Sequence, residues 1–419
     1  MTRPPTYNRR LVGWLSLAQL ISWGSVFYLF ALVMGPVERE LGLTRVQSSL
    51  AFSLCLLADG LLAFPIGRLI DKGHERAVMT AGSVLMALGL ALHSQVSTLA
   101  GFYAVWLLLG VGMSMTLYQA VFAVVTRRFP LDFRRAIITM TFLGGLASTV
   151  FIPLSSWMID LWGWRGAVWA LAGLNLFLCF PLHFFLLRHA PKKVATYTQN
   201  TRPEDVIEQK SLGHHLRSTP FLLIGLSLVF MSIATSGLPT HMVTLLREYG
   251  LAEAWVIAIP ASIGLLQVLG RLLLFFFEHR FNLHLANRLI PCLMPLALLL
   301  LVIAPFVATP KSSLMLWFLL AFVALWGMGN GMLTIVKGTA MAEYVSRAHV
   351  ASLNGALGFP LALVRASAPL ALGWLWTPAL GYRDGLLVMA LMGLAGAVAL
   401  TLAQRRSRAL ESTPKTSAA

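Results

Sequence analysis

The sequence predicts an all-α polytopic membrane protein, with twelve transmembrane helices in two six-helix pseudo-repeated halves. Three observations predict it. Twelve apolar stretches are each long enough to cross a bilayer, for which a helix needs about 20 largely apolar residues. Hydrophobic residues make up 58% of the 419-residue chain and charged residues 11%, a balance that leaves no soluble surface on a globule but suits hydrocarbon, which cannot solvate charge. With both termini placed in the cytoplasm, 23 of the 32 Lys and Arg lie at the inner face, 6 at the outer face and 3 inside spans. That asymmetry obeys the positive-inside rule.

The net charge of +16 raises nucleic acid as a partner, and its placement excludes one. The basic residues line inner loops, among them Arg9, Arg10, Arg127, Arg128, Arg134, Arg135, Lys192, Lys193, Arg405 and Arg406. Lipid is the environment this pattern implies.

In chain order the spans fall at 11–35, 46–70, 77–96, 100–126, 136–160, 166–188, 219–246, 252–278, 288–308, 312–340, 352–377 and 383–404. The first is a full span without a small-residue cleavage site, so it reads as an uncleaved insertion signal. Residues 1–188 form the N-terminal half and 219–404 the C-terminal half. The connector 189–218 gathers Pro191, Lys192, Lys193, Pro203, Glu204, Asp205 and Glu208, too polar for a core, and reads as a cytoplasmic linker. Residues 405–419 form a cytoplasmic tail. Cys55, Cys179 and Cys292 lie inside or at the edge of spans without paired spacing and read as packing residues, with no disulfide or metal framework.

The halves resemble each other. Gly163-Trp164-Arg165-Gly166 between spans 5 and 6 returns as Gly381-Tyr382-Arg383-Asp384 between spans 11 and 12, and Gly110-Val111-Gly112 in span 4 returns as Gly327-Met328-Gly329 in span 10. Small residues let helix backbones approach closely. Duplicated halves around a linker mark secondary transporters, whose site lies near the midplane between the repeats.

After span 2 the chain reads Gly67-Arg68-Leu69-Ile70-Asp71-Lys72-Gly73-His74-Glu75-Arg76. This resembles the loop signature of the major facilitator superfamily, except that His74 stands where that family has its second glycine. The resemblance implies the major facilitator fold, with a loop at Gly67, Asp71, Lys72 and Arg76 that latches the halves on the inner side. Gly67 would permit close helix contact, and Asp71 would face the positive end of a neighbouring helix. In span 8, Gln267 and Arg271 are four residues apart on one helix face. This looks like the monocarboxylate-porter branch, where an acid and an arginine stand at this spacing; here Gln267 replaces the acid.

Asp59, Arg271, Lys337 and Arg365 are the ionisable residues that concern the membrane interior. A charge at the bilayer centre costs about 2.5–3.5 kcal/mol on insertion scales, so such residues need a polar pathway or a partner. Asp59 and Arg365 sit mid-span, and Arg271 lies about 7 residues, roughly 10 Å, from the inner end of span 8. Lys337 is near enough to a helix end to be explained by snorkelling. Two deep cations against one deep anion favour an anionic substrate. Tyr28, Tyr118, Gln119 and Asn330 are candidate hydrogen-bonding residues of the same cavity. His93, His183 and His241 are scattered, and no metal site is expected. Lys337-Gly338-Thr339 only echoes the end of a phosphate-binding loop, so no nucleotide, no cofactor and no enzymatic activity are expected.

The expected function is secondary transport of a small organic anion, a monocarboxylate in the specific reading, by alternating access and coupled to protons. Arg271 and Arg365 would bind the anion, Gln267, Tyr28, Tyr118, Gln119 and Asn330 would orient it, and Asp59 would carry the proton. One alternative is a proton-driven exporter of toxic compounds, against which 144–153 lacks the Gly-Pro element of drug antiporters in span 5. Another is a transporter-like sensor, for which the termini and linker offer no signalling domain. The expected setting is a bacterial inner membrane, with the protein working as a monomer.

Overall fold

The computed structural model describes residues 8–129, 132–188, 212–277, 283–309, 312–345, 353 and 356–412. It is nearly all helix: α1 (Arg9–Leu41), α2 (Arg45–Leu69), α3 (Glu75–His93), α4 (Leu99–Arg128), α5 (133–162), α6 (164–186), α7 (Thr219–Glu248), α8 (Glu253–Phe277), α9 (Leu283–Val307), α10 (Ser313–Tyr344), α11 (Gly358–Trp374) and α12 (Arg383–Ser412). Ten helical stretches among the described residues are long and apolar enough to cross a membrane. One of these, Thr139–Leu186, holds parts of both α5 and α6, and α11 has 17 residues. Separating the first and adding the second gives the twelve segments expected. Only helices satisfy every backbone N–H and C=O within one segment, which is what hydrocarbon demands.

Residues 189–211 and 413–419, with most of the expected linker, lie outside the described residues. A short helix, Leu212–Leu216, precedes α7. Helix α12 runs to Ser412, beyond the apolar stretch and into its basic end.

Buried apolar side chains gather into three cores. Two draw on residues 11–187, with Ala366 added to one, and the third is built on 221–403, with Ala31, Leu32 and Ile152 added. The two glycine pairs of the sequence repeat make matching contacts. A Cβ on Gly110 would overlap Cys55 of α2 and one on Gly112 would meet Met86 of α3; likewise Gly327 lies against Leu266 of α8 and Gly329 against Leu293 of α9. Helices α4 and α10 thus occupy equivalent places, each against the second and third helix of its own half.

The other repeat matches as well. Gly163 (φ 69°) and Gly381 (φ 55°) both take a left-handed conformation that a residue with a Cβ rarely adopts, turning the chain into α6 and α12. After Gly163, the indole of Trp164 donates to Glu40 at the end of α1 (2.6 Å) and Arg165 pairs with the same carboxylate (2.7 Å). Before Gly381, the indole of Trp376 donates to Glu248 at the end of α7 (3.0 Å).

Among the described residues the halves meet chiefly along two seams. In one, α2 packs on α11: a Cβ on Gly60 would lie 2.5 Å from Ala362, and the Leu370 amide donates to Ser53 (3.2 Å). In the other, α5 packs on α8: the Thr149 hydroxyl donates to the Ala261 carbonyl (2.7 Å), and Gly264 faces Gly145. Within the second half, Gly331 of α10 lies against the Gln267 backbone so closely that a Cβ would overlap it. Gly331→Ala is therefore expected to cost about 1–3 kcal/mol through forced backbone displacement. Thermal unfolding in detergent measures it, and an unchanged transition would contradict the contact.

Candidate functional site

A cavity of about 320 Å³ opens between the halves. Three local devices aim side chains into it. Residues Trp23–Tyr28 of α1 form a π-helical segment, an irregularity frequent at functional sites because it re-aims side chains against the helical frame. Trp23, Phe27 and Tyr28 all line the cavity. Leu117 interrupts α4 with an extended conformation (φ −78°, ψ −169°), and Tyr118 begins the next helical piece. Its ring meets Trp23, centroid to centroid, at 5.1 Å. Glycines at 144 and 145 thin the α5 wall, and the Arg271 guanidinium approaches that thinned wall.

Tyr28, Tyr118, Gln267, Arg271, Asn330 and Arg365, six of the residues expected here, share this cavity wall. Arg271 of α8 donates from Nη1 to the Thr141 carbonyl of α5 at 3.0 Å, crossing between halves. Its Nε is buried without a hydrogen-bond partner among the described residues. Arg365 of α11 is half-buried and makes no hydrogen bond or contact ion pair among the described residues.

Asp59 of α2 is not in the wall. It is 7% exposed and lies behind it, within electrostatic reach of Arg365 but without a direct ion pair. Gln119 is exposed and outside the cavity lining, contrary to expectation. Successive helical residues point about 100° apart, so once the break at Leu117 directs Tyr118 inward, Gln119 is turned away.

Lys337 also departs from expectation. It lines the cavity with the two arginines and does not snorkel to an interface. The reason is the length of α10, which runs on to Tyr344 and so places Lys337 almost two turns before the helix end. Ser232, Thr235 and Ser236 of α7 complete the polar wall; three small hydroxyl residues in an apolar span were their only sequence signal.

Among the described residues, one end of the cavity is closed by a cluster from both halves. Arg45 of α2 donates to Glu248 (2.7 Å) and to the Tyr382 hydroxyl (2.8 Å), lies 4.3 Å from the Trp376 ring centroid, and has Glu38 at 3.7 Å. Beneath it, His241 sits between the Tyr382 hydroxyl (2.9 Å), Ser49 (3.3 Å) and the Pro369 carbonyl (3.0 Å). Burial pushes the Tyr382 hydroxyl's pKa above its ordinary value. Sequence reading missed the cluster because its members are far apart in the chain. Arg45→Met is expected to shift the population towards the state open at this end by about 1–2 kcal/mol, roughly 5- to 30-fold. Faster thiol labelling of a Ser236→Cys variant from the side bearing the 42–44 turn would register the shift; an unchanged rate would deny the cluster a gating role.

The loop at 67–76 differs from expectation in one contact. Nothing lies within 4 Å of a Cβ built on Gly67, so that glycine serves no close helix approach in this conformation. The left-handed turn falls at Gly73 (φ 97°), just before His74, with the Arg127 guanidinium beside it. Arg127 also donates to the Ile70 carbonyl. Lys72 is exposed. Arg76 donates to the Phe184 carbonyl (2.8 Å) and covers that residue's ring, and buried Glu75 pairs with Arg128 at 2.5 Å. The Asp71 side chain lies outside the described residues. These contacts stay within the first half.

A duplicated twelve-helix bundle with a polar cavity between its halves defines the class of secondary membrane transporters. The family model described as Major Facilitator Superfamily matches residues 15–322. The chain belongs to that superfamily and is an integral membrane transporter for a small molecule. It is 27% identical over 382 residues to monocarboxylate transporter 13 of Bos taurus, covering 81% of this chain and 82% of that one. It is 26% identical to the oxalate:formate antiporter of Oxalobacter formigenes, over 61% of this chain and 60% of the relative. Among solved structures, a bacterial homologue of the human lysosomal transporter Spinster, inward-facing and unoccupied, superposes with a TM-score of 0.72 at 15% identity, covering 99% of this chain and all of that one. The nucleoside transporter NupG, as a mutant, superposes with a TM-score of 0.71 at 17% identity over 94% of this chain and 99% of its own. At these identities the superpositions establish the fold.

Proposed function

We propose that this protein transports a small organic anion, with a carboxylate as the recognised group, by alternating access coupled to protons. One observation carries the reading: Arg271, Lys337 and Arg365 line one cavity, and among the described residues no acidic residue lines it. Desolvated cations of this kind are costly unless an anion meets them. The names of the two curated relatives, a monocarboxylate transporter and an oxalate:formate antiporter, point the same way.

In the proposed cycle Arg271 and Arg365 hold the carboxylate, while Tyr28, Tyr118, Gln267 and Asn330 orient it. Ionised Asp59 competes for Arg365. A proton on Asp59 removes that competition and leaves the guanidinium to the substrate, so proton and anion load together. The halves, 1–188 and 219–404, then rock about the site, with the loop at Gly67, Asp71, Lys72 and Arg76 latching the inner side when the outer side opens. A set of carboxylates tested for uptake into proteoliposomes under an imposed pH gradient reads substrate, direction and coupling together. Failure of every anion to move or exchange would refute the reading.

The proposed topology places both termini and the 189–218 connector in the cytoplasm of a cell whose inner membrane holds the protein, acting as a monomer. In a cysteine-free background, Asn200→Cys should resist an impermeant thiol reagent in intact cells and react after permeabilisation. Labelling in intact cells would invert the orientation.

A further inference from the structure

We infer that the cavity is built for a dianion, with Lys337 as the residue that sets this specificity; the inference rests on the anion-transport reading above. Lys337 belongs to α10, six residues beyond Gly331, where α10 touches the Gln267 backbone of α8. That spacing is about 9 Å along the helix axis. It lines the same cavity as Arg271 and Arg365, and among the described residues it makes no hydrogen bond or ion pair. Gln267 is neutral where an acid would have compensated Arg271 one turn away. The buried Nε of Arg271 has no hydrogen-bond partner among the described residues.

Charge decides the occupant. Among the described residues the wall carries three cations, and the carboxylate within electrostatic reach of them is Asp59, near Arg365. With Asp59 ionised the site holds two net positive charges, and with Asp59 protonated it holds three. A monoanion leaves at least one charge uncompensated in either state, whereas a dianion leaves one at most. A cavity that must close to water during the cycle selects the occupant that leaves less charge buried. The cavity of about 320 Å³ has room for a short aliphatic dicarboxylate with one carboxylate on the arginines and the other towards Lys337.

The probes are succinate and butyrate, which share a four-carbon chain and differ in the second carboxylate, each tested for self-exchange in proteoliposomes. Wild-type protein should exchange succinate at least tenfold more efficiently than butyrate. Lys337→Gln should reduce that ratio at least tenfold chiefly by losing succinate, and Lys337→Arg should preserve it. The inference is overturned if wild-type protein handles butyrate as well as succinate, or if Lys337→Gln is folded and keeps the wild-type ratio. Should Lys337→Gln not fold, the wild-type and Lys337→Arg ratios decide. Butyrate exchange without succinate exchange defeats the dianion alone; failure of both probes and of the wider carboxylate set defeats anion transport with it.

Discussion

Arg271→Gln and Arg365→Gln should each weaken carboxylate binding by about 2–5 kcal/mol, roughly 30- to 5,000-fold in Kd, the range for truncating one partner of a buried hydrogen-bonded charge pair. The basis for Arg271 is geometric. One nitrogen is occupied by the Thr141 carbonyl, and another is buried and has no hydrogen-bond partner among the described residues. A carboxylate arriving from the cavity can therefore pair with a guanidinium that is already positioned, through a planar fork that lysine does not reproduce. Arg271→Lys is expected to recover only part of the loss. Arg365 differs in its environment, because Asp59 lies near it. Removing Arg365 deprives Asp59 of a compensating charge, so this variant should also alter the pH dependence of binding. Calorimetry or a filter-binding assay on purified protein decides the matter. Normal carboxylate affinity in both variants would eliminate the cationic cavity as the binding site.

Asp59→Asn should lose uptake driven by a pH gradient at least tenfold while retaining substrate exchange. Asp59 is buried on α2, against α11, where Gly60 approaches Ala362. In the proposed cycle a carboxylate enclosed there acts on the substrate through Arg365, since Asp59 is not among the residues lining the cavity. Asparagine keeps the shape and removes the titration, so the site survives while its proton-dependent step does not. Exchange and gradient-driven uptake measured on the same proteoliposomes separate these effects. If gradient-driven uptake persists, the proton is carried elsewhere; if exchange also disappears, Asp59 is a structural partner of Arg365.

Much of this molecule was legible in the residues alone, because lipid imposes strong demands on a sequence. Unpaired backbone groups and charges are expensive in hydrocarbon, so the apolar stretches left a plain mark. The glycine pairs 110/112 and 327/329 and the turns at Gly163 and Gly381 were visible as repeats for a related reason: close helix approach and left-handed turns both tolerate little but glycine. Arg271 and Arg365 stood out because a deep cation in an apolar helix requires explanation.

Tertiary structure decided what depends on helix phase, helix length and distant contact. Tyr118 and Gln119 are neighbours in sequence, yet the break at Leu117 sends one into the cavity and leaves the other exposed. Lys337 looked like a residue at a helix end until the extension of α10 to Tyr344 placed it in the wall. Gly67, expected to sit against another helix, faces open space in this conformation. The closing cluster of Arg45, His241, Glu248 and Tyr382 had no local signal, since a hydrogen bond between α2 and residues up to 337 positions away leaves no periodicity to read. Hydropathy and charge are properties of segments and are written in the chain; which side chains face one another across the bundle is settled only when the segments pack.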